Sequence, residues 1–191
     1  MLGKILIALI VIVAAFAIMV ATRPAEFHIE RSIAVMAPTG SVFAQVNDLH
    51  AWAAWSPWEK LDPKMEKTYG GPPFGPGATY AWRSDSGKVG QGRMTIERSD
   101  VPSLVVVKLE FIKPFAATNT VTFSFDPTAD GAKVTWAMDG RNGFMGKAFG
   151  LLMNMDKTVG GDFERGLTGL KAVAEAAPKP AAAVAGGTAP Q

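Results

Sequence analysis

From Phe27 to Val35 the chain alternates, with Phe27, Ile29, Ile33 and Val35 apolar between mostly polar neighbours. That period of two predicts a strand with one buried face. After the turn signals of "APTGS", Val42, Phe43, Val46 and Leu49 recur at helical spacing, and "VFAQVNDLHAWAAW" predicts two short helices. The prolines of "SPWEKLDPKM" end the helical region, and "YGGPPFGPG" reads as a loop or hairpin connection. From Ala78 onward come five strand candidates, "ATYAWRS", "KVGQGRMTIERS", "SLVVVKLEFI", "TNTVTFSFDP" and "AKVTWAMDG", parted by turn signals such as "SDSG", "SDVP" and "DPTADG". Val121, Phe123 and Phe125 alternate with Thr120, Thr122 and Ser124, while Val134, Trp136 and Met138 alternate with Lys133, Thr135 and Ala137. Each strand thus has an apolar and a polar face, as in an antiparallel sheet with one wet side.

The last periodic segment runs from Gly143 to Lys171. Its apolar positions Phe144, Ala148, Leu151, Leu152, Met155, Val159, Phe163, Leu167 and Leu170 recur at three- and four-residue steps, predicting one long helix with a buried stripe. Glycines at 146, 150, 160, 161, 166 and 169 interrupt it, and each interior glycine costs about 1 kcal/mol relative to alanine. They require a tertiary reason. Glycine lets backbones approach closely or lets a helix bend, and Gly160–Gly161 is the predicted bend. Met145, Met153 and Met155 add flexible side chains that serve either a tight core or an adaptable pocket wall. The elements together predict an α+β fold: one antiparallel sheet curved around a long C-terminal helix, with two short helices after the first strand.

Both ends differ from this pattern. Ile5 to Ala21 is an uncharged apolar run between Lys4 and Arg23, nearly long enough for a hydrocarbon core of about 30 Å. It exceeds the usual signal-peptide core and lacks a clean A-x-A site, which favours an uncleaved anchor over a cleaved signal. The amino terminus and Lys4 on one side, against Arg23 with Glu26 close by on the other, favour an inside N-terminus and an outer, extracytoplasmic domain. "AAPKPAAAVAGGTAPQ" has no periodic apolar face and reads as a disordered tail. The expected organisation is an anchor at 1–24, a folded domain at 27–176 and a tail at 177–191. No internal repeat is visible.

Composition mainly excludes. A formal charge of +2, with basic residues scattered along the chain, gives no basic stripe for nucleic acid, and no such partner is expected. The lack of cysteine removes disulfides, thiol nucleophiles and cysteine-ligated metals. His28, on the polar face of the first strand, and His50 have no histidine or carboxylate at ligand spacing and no H-E-x-x-H motif, so no metal site is expected. "GxSxG" is absent, and "GGPPFGPG" lacks the P-loop sequence; its prolines remove phosphate-binding amides, so it reads as a plain loop, which the family resemblance described below would set over a cavity mouth. Gln91, Arg93, Thr95 and Glu97 share a face opposite Met94 and Ile96 and read as solvated. Glu110, Asn119 and Arg141 are candidates for a single polar contact inside a cavity. "WAAWSPW" sets Trp52, Trp55 and Trp58 at three-residue steps, suited either to a cavity rim or to capping the sheet as core. No catalytic residue and no cofactor is assigned.

Several segments carry a family likeness: "SVFAQVNDLHAWAAWSPW", "GPGATYAW", "GQGRMTI" and "GGDFERGLTGLK". On these the chain resembles the START-like, or Bet v 1-like, superfamily in its polyketide cyclase/dehydrase and lipid transport (SRPBCC) form, over roughly Phe27 to Val173. The resemblance implies a helix-grip fold with a ligand cavity between the C-terminal helix and the sheet. It implies no single activity, because that fold serves lipid carriage, ring cyclisation and hormone sensing. The expected lining or rim is Trp55, Trp58, Tyr80, Trp82, Phe123, Trp136, Met138, Leu152, Met155 and Val159. The expected function is a membrane-tethered binding domain for a hydrophobic small molecule or lipid. The alternatives are an enzyme acting on an apolar substrate in the same cavity (cyclase, dehydratase or hydrolase) and a protein-interaction module with a collapsed cavity.

Overall fold

A computed structural model describes residues 2–87, 89–152 and 154–177. Apart from Ala177, the tail expected at 177–191 lies outside the described residues, as does Met153. The chain opens with α1 (Leu2–Ala21), followed by β1 (Glu26–Val35), α2 (Thr39–Asn47), α3 (Trp52–Trp55) and a 3-10 turn at Pro57–Lys60. Then come β2 (Glu66–Gly70), β3 (Thr79–Arg83), β4 (Gln91–Asp100), β5 (Leu104–Lys113), β6 (Ala117–Thr128) and β7 (Gly131–Arg141). Two helices, α4 (Phe144–Leu152) and α5 (Met155–Ala176), close the described chain.

All seven strands form one antiparallel sheet in the order β1-β7-β6-β5-β4-β3-β2. Six strands were expected. The seventh, β2, reads "EKTYG" and buries little beyond a half-covered Tyr69, so it carries no alternating apolar signal. A charged, polar strand is what an exposed sheet edge requires. Register shifts in the β4–β5 ladder at Gln91/Gly92 and Ile96/Arg98 mark bulges, which bend a strand and increase its twist. α5 crosses β1 and touches α2, α3 and β7, so the sheet wraps the helix in the helix-grip arrangement.

The expected single C-terminal helix is two helices, and the break is not at the glycine pair. α5 runs unbroken through Gly160 and Gly161, and its start is set by Asn154, whose extended backbone and Oδ1, accepting from Lys157 N–H at 2.9 Å, form an N-cap. Asparagine satisfies a helix N-terminus better than it continues a helix. Gly160 answers a different need: a side chain there would meet the Arg31 guanidinium of β1. A methyl at Gly166 would lie 2.6 Å from the Trp136 ring, and one at Gly169 would lie 2.7 Å from the Trp55 carbonyl. These three glycines are close-approach sites, whereas Gly161 meets nothing nearer than 3.7 Å.

The core lies between sheet and helices, with Val42, Val46, Ile96, Val105, Phe123, Phe125, Trp136, Phe163, Leu167 and Leu170 almost wholly buried. Trp52 Nε1 donates to the Val46 carbonyl at 2.9 Å and Trp55 Nε1 to that of Gln45 at 3.1 Å. These carbonyls belong to the last turn of α2, where intrahelical partners run out. The tryptophans of "WAAW" therefore cap α2 as well as filling space.

Candidate functional site

A cluster of aromatic rings marks one place in the molecule. Trp136 stacks on Phe163 of α5 with centroids 4.3 Å apart and planes within 9°. Trp52, Trp55 and Trp58 approach Trp136 edge-on at 5.6 to 6.2 Å. Edge-on contacts of this kind are favourable beyond their area and hold rings rigidly. Beside this cluster, between α5 and the concave sheet, is a cavity of about 360 Å³. Its size and apolar walls are those of a small-molecule site.

Of the expected lining residues, Trp58, Tyr80, Trp82, Trp136, Met138, Met155 and Val159 border the cavity. Trp55 and Phe123 do not: Phe123 is wholly buried against Trp136, with ring centroids 4.7 Å apart, and Trp55 is held in the core by its bond to Gln45. The Leu152 side chain lies outside the described residues. Lining residues that the sequence reading did not single out include Met65, Met94, Leu109, Phe111 and Val121. Inward positions on strands were legible for Met94, but nothing in the sequence tells which inward residues face space and which face another side chain. Gly92 shows why: a methyl there would overlap the Trp82 ring, cross-strand from it, so the indole folds over the glycine.

Besides Ser56 and Asp162, two groups of polar residues interrupt the apolar wall. At one, Glu59 is almost fully buried, accepts a hydrogen bond from the Tyr80 hydroxyl at 2.7 Å and pairs with Lys67. Burial pushes the Tyr80 hydroxyl well above its usual value, and the bond to Glu59 adds to the shift. Tyr80 is therefore a hydrogen-bond donor at neutral pH, and its ring stacks on Tyr69 and Trp82. At the other, Asn119 is 6% exposed and lines the cavity. Among the described residues its side chain makes no hydrogen bond, so its amide is free for a guest. A methyl at Gly140 would overlap Asn119 Oδ1, so glycine makes room for the amide. Arg141 and Asn142 continue this polar group toward the surface.

The other polar candidates lie elsewhere. Glu110 pairs with Arg93 at 2.8 Å and with Lys108 at 2.9 Å, and these cations hold its carboxyl below its usual value. Arg93 and Glu97 are exposed. No residue of "GGPPFGPG" borders the cavity; the loop packs instead on the end of α2, where Gly75 N–H donates to the Asn47 carbonyl at 3.0 Å. Each histidine has a carboxylate neighbour in the fold. His28 Nδ1 bonds Asp139 at 2.7 Å across the β1–β7 ladder, and His50 Nδ1 bonds Asp48 at 3.1 Å. Both are exposed surface pairs, and among the described residues no group of three or more histidine or acidic side chains is placed to hold a metal.

Comparison with known proteins places this geometry in context. No curated protein matches the chain in sequence. Among solved structures, the di-domain ARO/CYC BexL from the BE-7585A biosynthetic pathway is 17% identical with a TM-score of 0.59, over 83% of this chain and 53% of BexL. The di-domain ARO/CYC StfQ from the steffimycin pathway is 12% identical with a TM-score of 0.60, over 79% of this chain and 52% of StfQ. A protein of Chromobacterium violaceum is 13% identical with a TM-score of 0.57, over 78% of this chain and 96% of its own. At these identities the likeness is one of fold. Residues 26–175 match the family described as polyketide cyclase/dehydrase and lipid transport. With a helix-grip fold and an apolar cavity under α5, the chain belongs to that family, as a hydrophobic-ligand-binding domain.

Proposed function

We propose that the chain is a membrane-tethered domain that holds one hydrophobic small molecule or lipid between α5 and the sheet. The observation that supports this is the cavity itself, apolar over most of its wall, with Tyr80 and Asn119 as separate hydrogen-bonding groups. A guest of this shape is an amphiphile: an apolar body with a hydroxyl or carbonyl. The tether is α1, whose 20 residues are long and apolar enough to cross a membrane and lie almost wholly exposed. The charges flanking it favour a domain on the outer side.

Mass spectrometry of molecules that co-purify with the detergent-extracted, full-length chain tests the class of guest. Four of the five tryptophans border the cavity, so guest binding should quench their emission directly. A saturable, one-to-one quench by a fatty-acid-like guest is expected. Absence of both a co-purified apolar molecule and saturable quenching would refute the binding reading.

The second reading, an enzyme on an apolar substrate, is favoured by one observation, the buried Glu59–Tyr80 pair in the cavity wall. Positioned carboxylates and phenols serve as general acids and bases. Tyr80→Phe separates the two readings. A binding domain retains an apolar guest after this change, whereas an enzyme binds its substrate and no longer turns it over. The interaction-module reading called for a filled interior, and the open cavity does not support it.

A further inference from the structure

Among the described residues of the folded domain, Met36, Leu61, Phe74 and Val101 are large apolar side chains exposed elsewhere, while five others gather on α4 and the neighbouring hairpin. Phe144, Met145 and Phe149 of α4, with Ile112 and Phe115 of the β5–β6 hairpin, are each between 44% and 57% exposed. The rings of Phe115 and Phe149 lie 5.8 Å apart, joining helix and hairpin in one patch. Contiguous exposed apolar surface on a folded domain marks a binding face.

The chain itself indicates what covers it. α4 packs against α1, and Lys147 Nζ donates to the Ala21 carbonyl in the last turn of α1 at 3.3 Å. Only Thr22–Ala25 separate α1 from β1, a reach of at most about 14 Å. Asn142 N–H, just before α4, donates to the Ala25 carbonyl at 2.7 Å. The patch is thus held at the level where α1 ends. Arg23, Lys113 and Arg141 are exposed around it, with Glu26 opposite Arg141 in the β1–β7 register. An apolar face rimmed by basic side chains next to a spanning helix has the character of an interfacial membrane contact.

Resting on the reading of α1 as an anchor, the geometry points to the bilayer surface as the occupant of this patch: α4 and the β5–β6 hairpin tip lie in the headgroup region of the leaflet from which α1 emerges. The cavity borders the same place. Its lining residues Phe111, Ala117 and Asn142 lie within two residues of Ile112, Phe115 and Phe144 in the chain.

The chain has no cysteine, so Met145→Cys and Phe149→Cys each give one site for an environment-sensitive label. Asp130→Cys, in the β6–β7 turn at the other end of β6, up to roughly 35 Å away along the strand, is the control. Ile10→Cys reports the anchor. Full-length labelled protein is reconstituted in vesicles of phosphatidylcholine and phosphatidylglycerol containing shallow or deep spin-labelled lipid, and retained guest-dependent tryptophan quenching confirms the fold of each variant. Labels at 145 and 149 should be blue-shifted and quenched by the shallow lipid at least about twofold more than the label at 130. Equal, weak quenching at all three, with the label at 10 quenched by the deep lipid, would overturn this proposal and leave the anchor standing. A label at 10 untouched by the deep lipid overturns both. A blue shift at 145 and 149 that grows with protein density, without lipid quenching, would assign the patch to a second copy of the chain and overturn the bilayer as its occupant.

Discussion

Each glycine of α5 meets a different neighbour, and the neighbour sets the sign of an alanine substitution. Gly161→Ala adds a methyl with ordinary contacts and should stabilise the fold by up to about 1 kcal/mol of helix propensity. Gly169→Ala presses on the Trp55 backbone, which cannot rotate away, and should destabilise by about 1–3 kcal/mol as an overpacked contact. Thermal melts of the two single variants check this, and shifts of the same sign would show that close approach does not explain the glycines. Asn119 carries the chemistry at this scale. Asn119→Leu fills its place with an apolar group of similar size, so affinity for a guest bearing a hydroxyl or carbonyl should fall by about tenfold or more. Affinity for a pure hydrocarbon guest should hold or rise. Titration of the tryptophan emission with a matched pair of guests reads the difference, and equal losses for both would mean that Asn119 only shapes the wall.

At the scale of elements, the junction of β1 with α5 sets the helix that roofs the cavity. Arg31 donates to Asp156 at 3.1 Å and to Glu164 at 2.9 Å, spanning two turns of α5. The bond to Arg31 holds the Asp156 carboxyl below its usual value of 3.8. A carboxylate with a lowered folded value contributes stability that is present above its unfolded value and lost as pH falls through the folded one. Arg31→Met should therefore be less stable than wild type at neutral pH, and the gap should narrow as pH drops below the usual carboxylate range. Chemical denaturation across that range measures it, and a gap independent of pH would mean that Arg31 acts by packing alone. Because the guanidinium occupies the space over Gly160, Gly160→Ala should be neutral or destabilising alone but stabilising in the Arg31→Met background, a coupling that a double-mutant cycle isolates.

Taken as a whole molecule, α1 and the folded domain meet at one small contact, with Val20 wholly buried and most of α1 exposed. Removing Leu2–Ile18 should release the chain from the membrane fraction with its melting temperature nearly unchanged, since those side chains have only lipid to cover them. A truncated chain still sedimenting with membranes after a high-salt wash would place the attachment elsewhere, the α4 patch being the first candidate.

The local pattern by itself determined much of this protein. Period-two alternation in β1, β6 and β7 and period-3.6 recurrence in α2 and α5 reflect which face of each element leaves water, and the apolar run of α1 reflects a face on every side; such signals are properties of neighbours in sequence. Only the tertiary structure decided the rest. β2 was illegible because a polar edge strand is defined by its partner β3, not by its own pattern. The sequence pattern placed a bend at the glycine pair and carried no sign of the break at Asn154, because capping is one hydrogen bond and glycine looks like weakness until Arg31, Trp136 and the Trp55 backbone fill the space beside it. The site divided the same way. That Trp58, Trp82 and Met138 are apolar and inward was written in their positions, but whether an inward side chain meets a cavity or, like Phe123 and Trp55, another ring depends on residues distant along the chain. Burial is a preference of each side chain; empty space belongs to the assembled set.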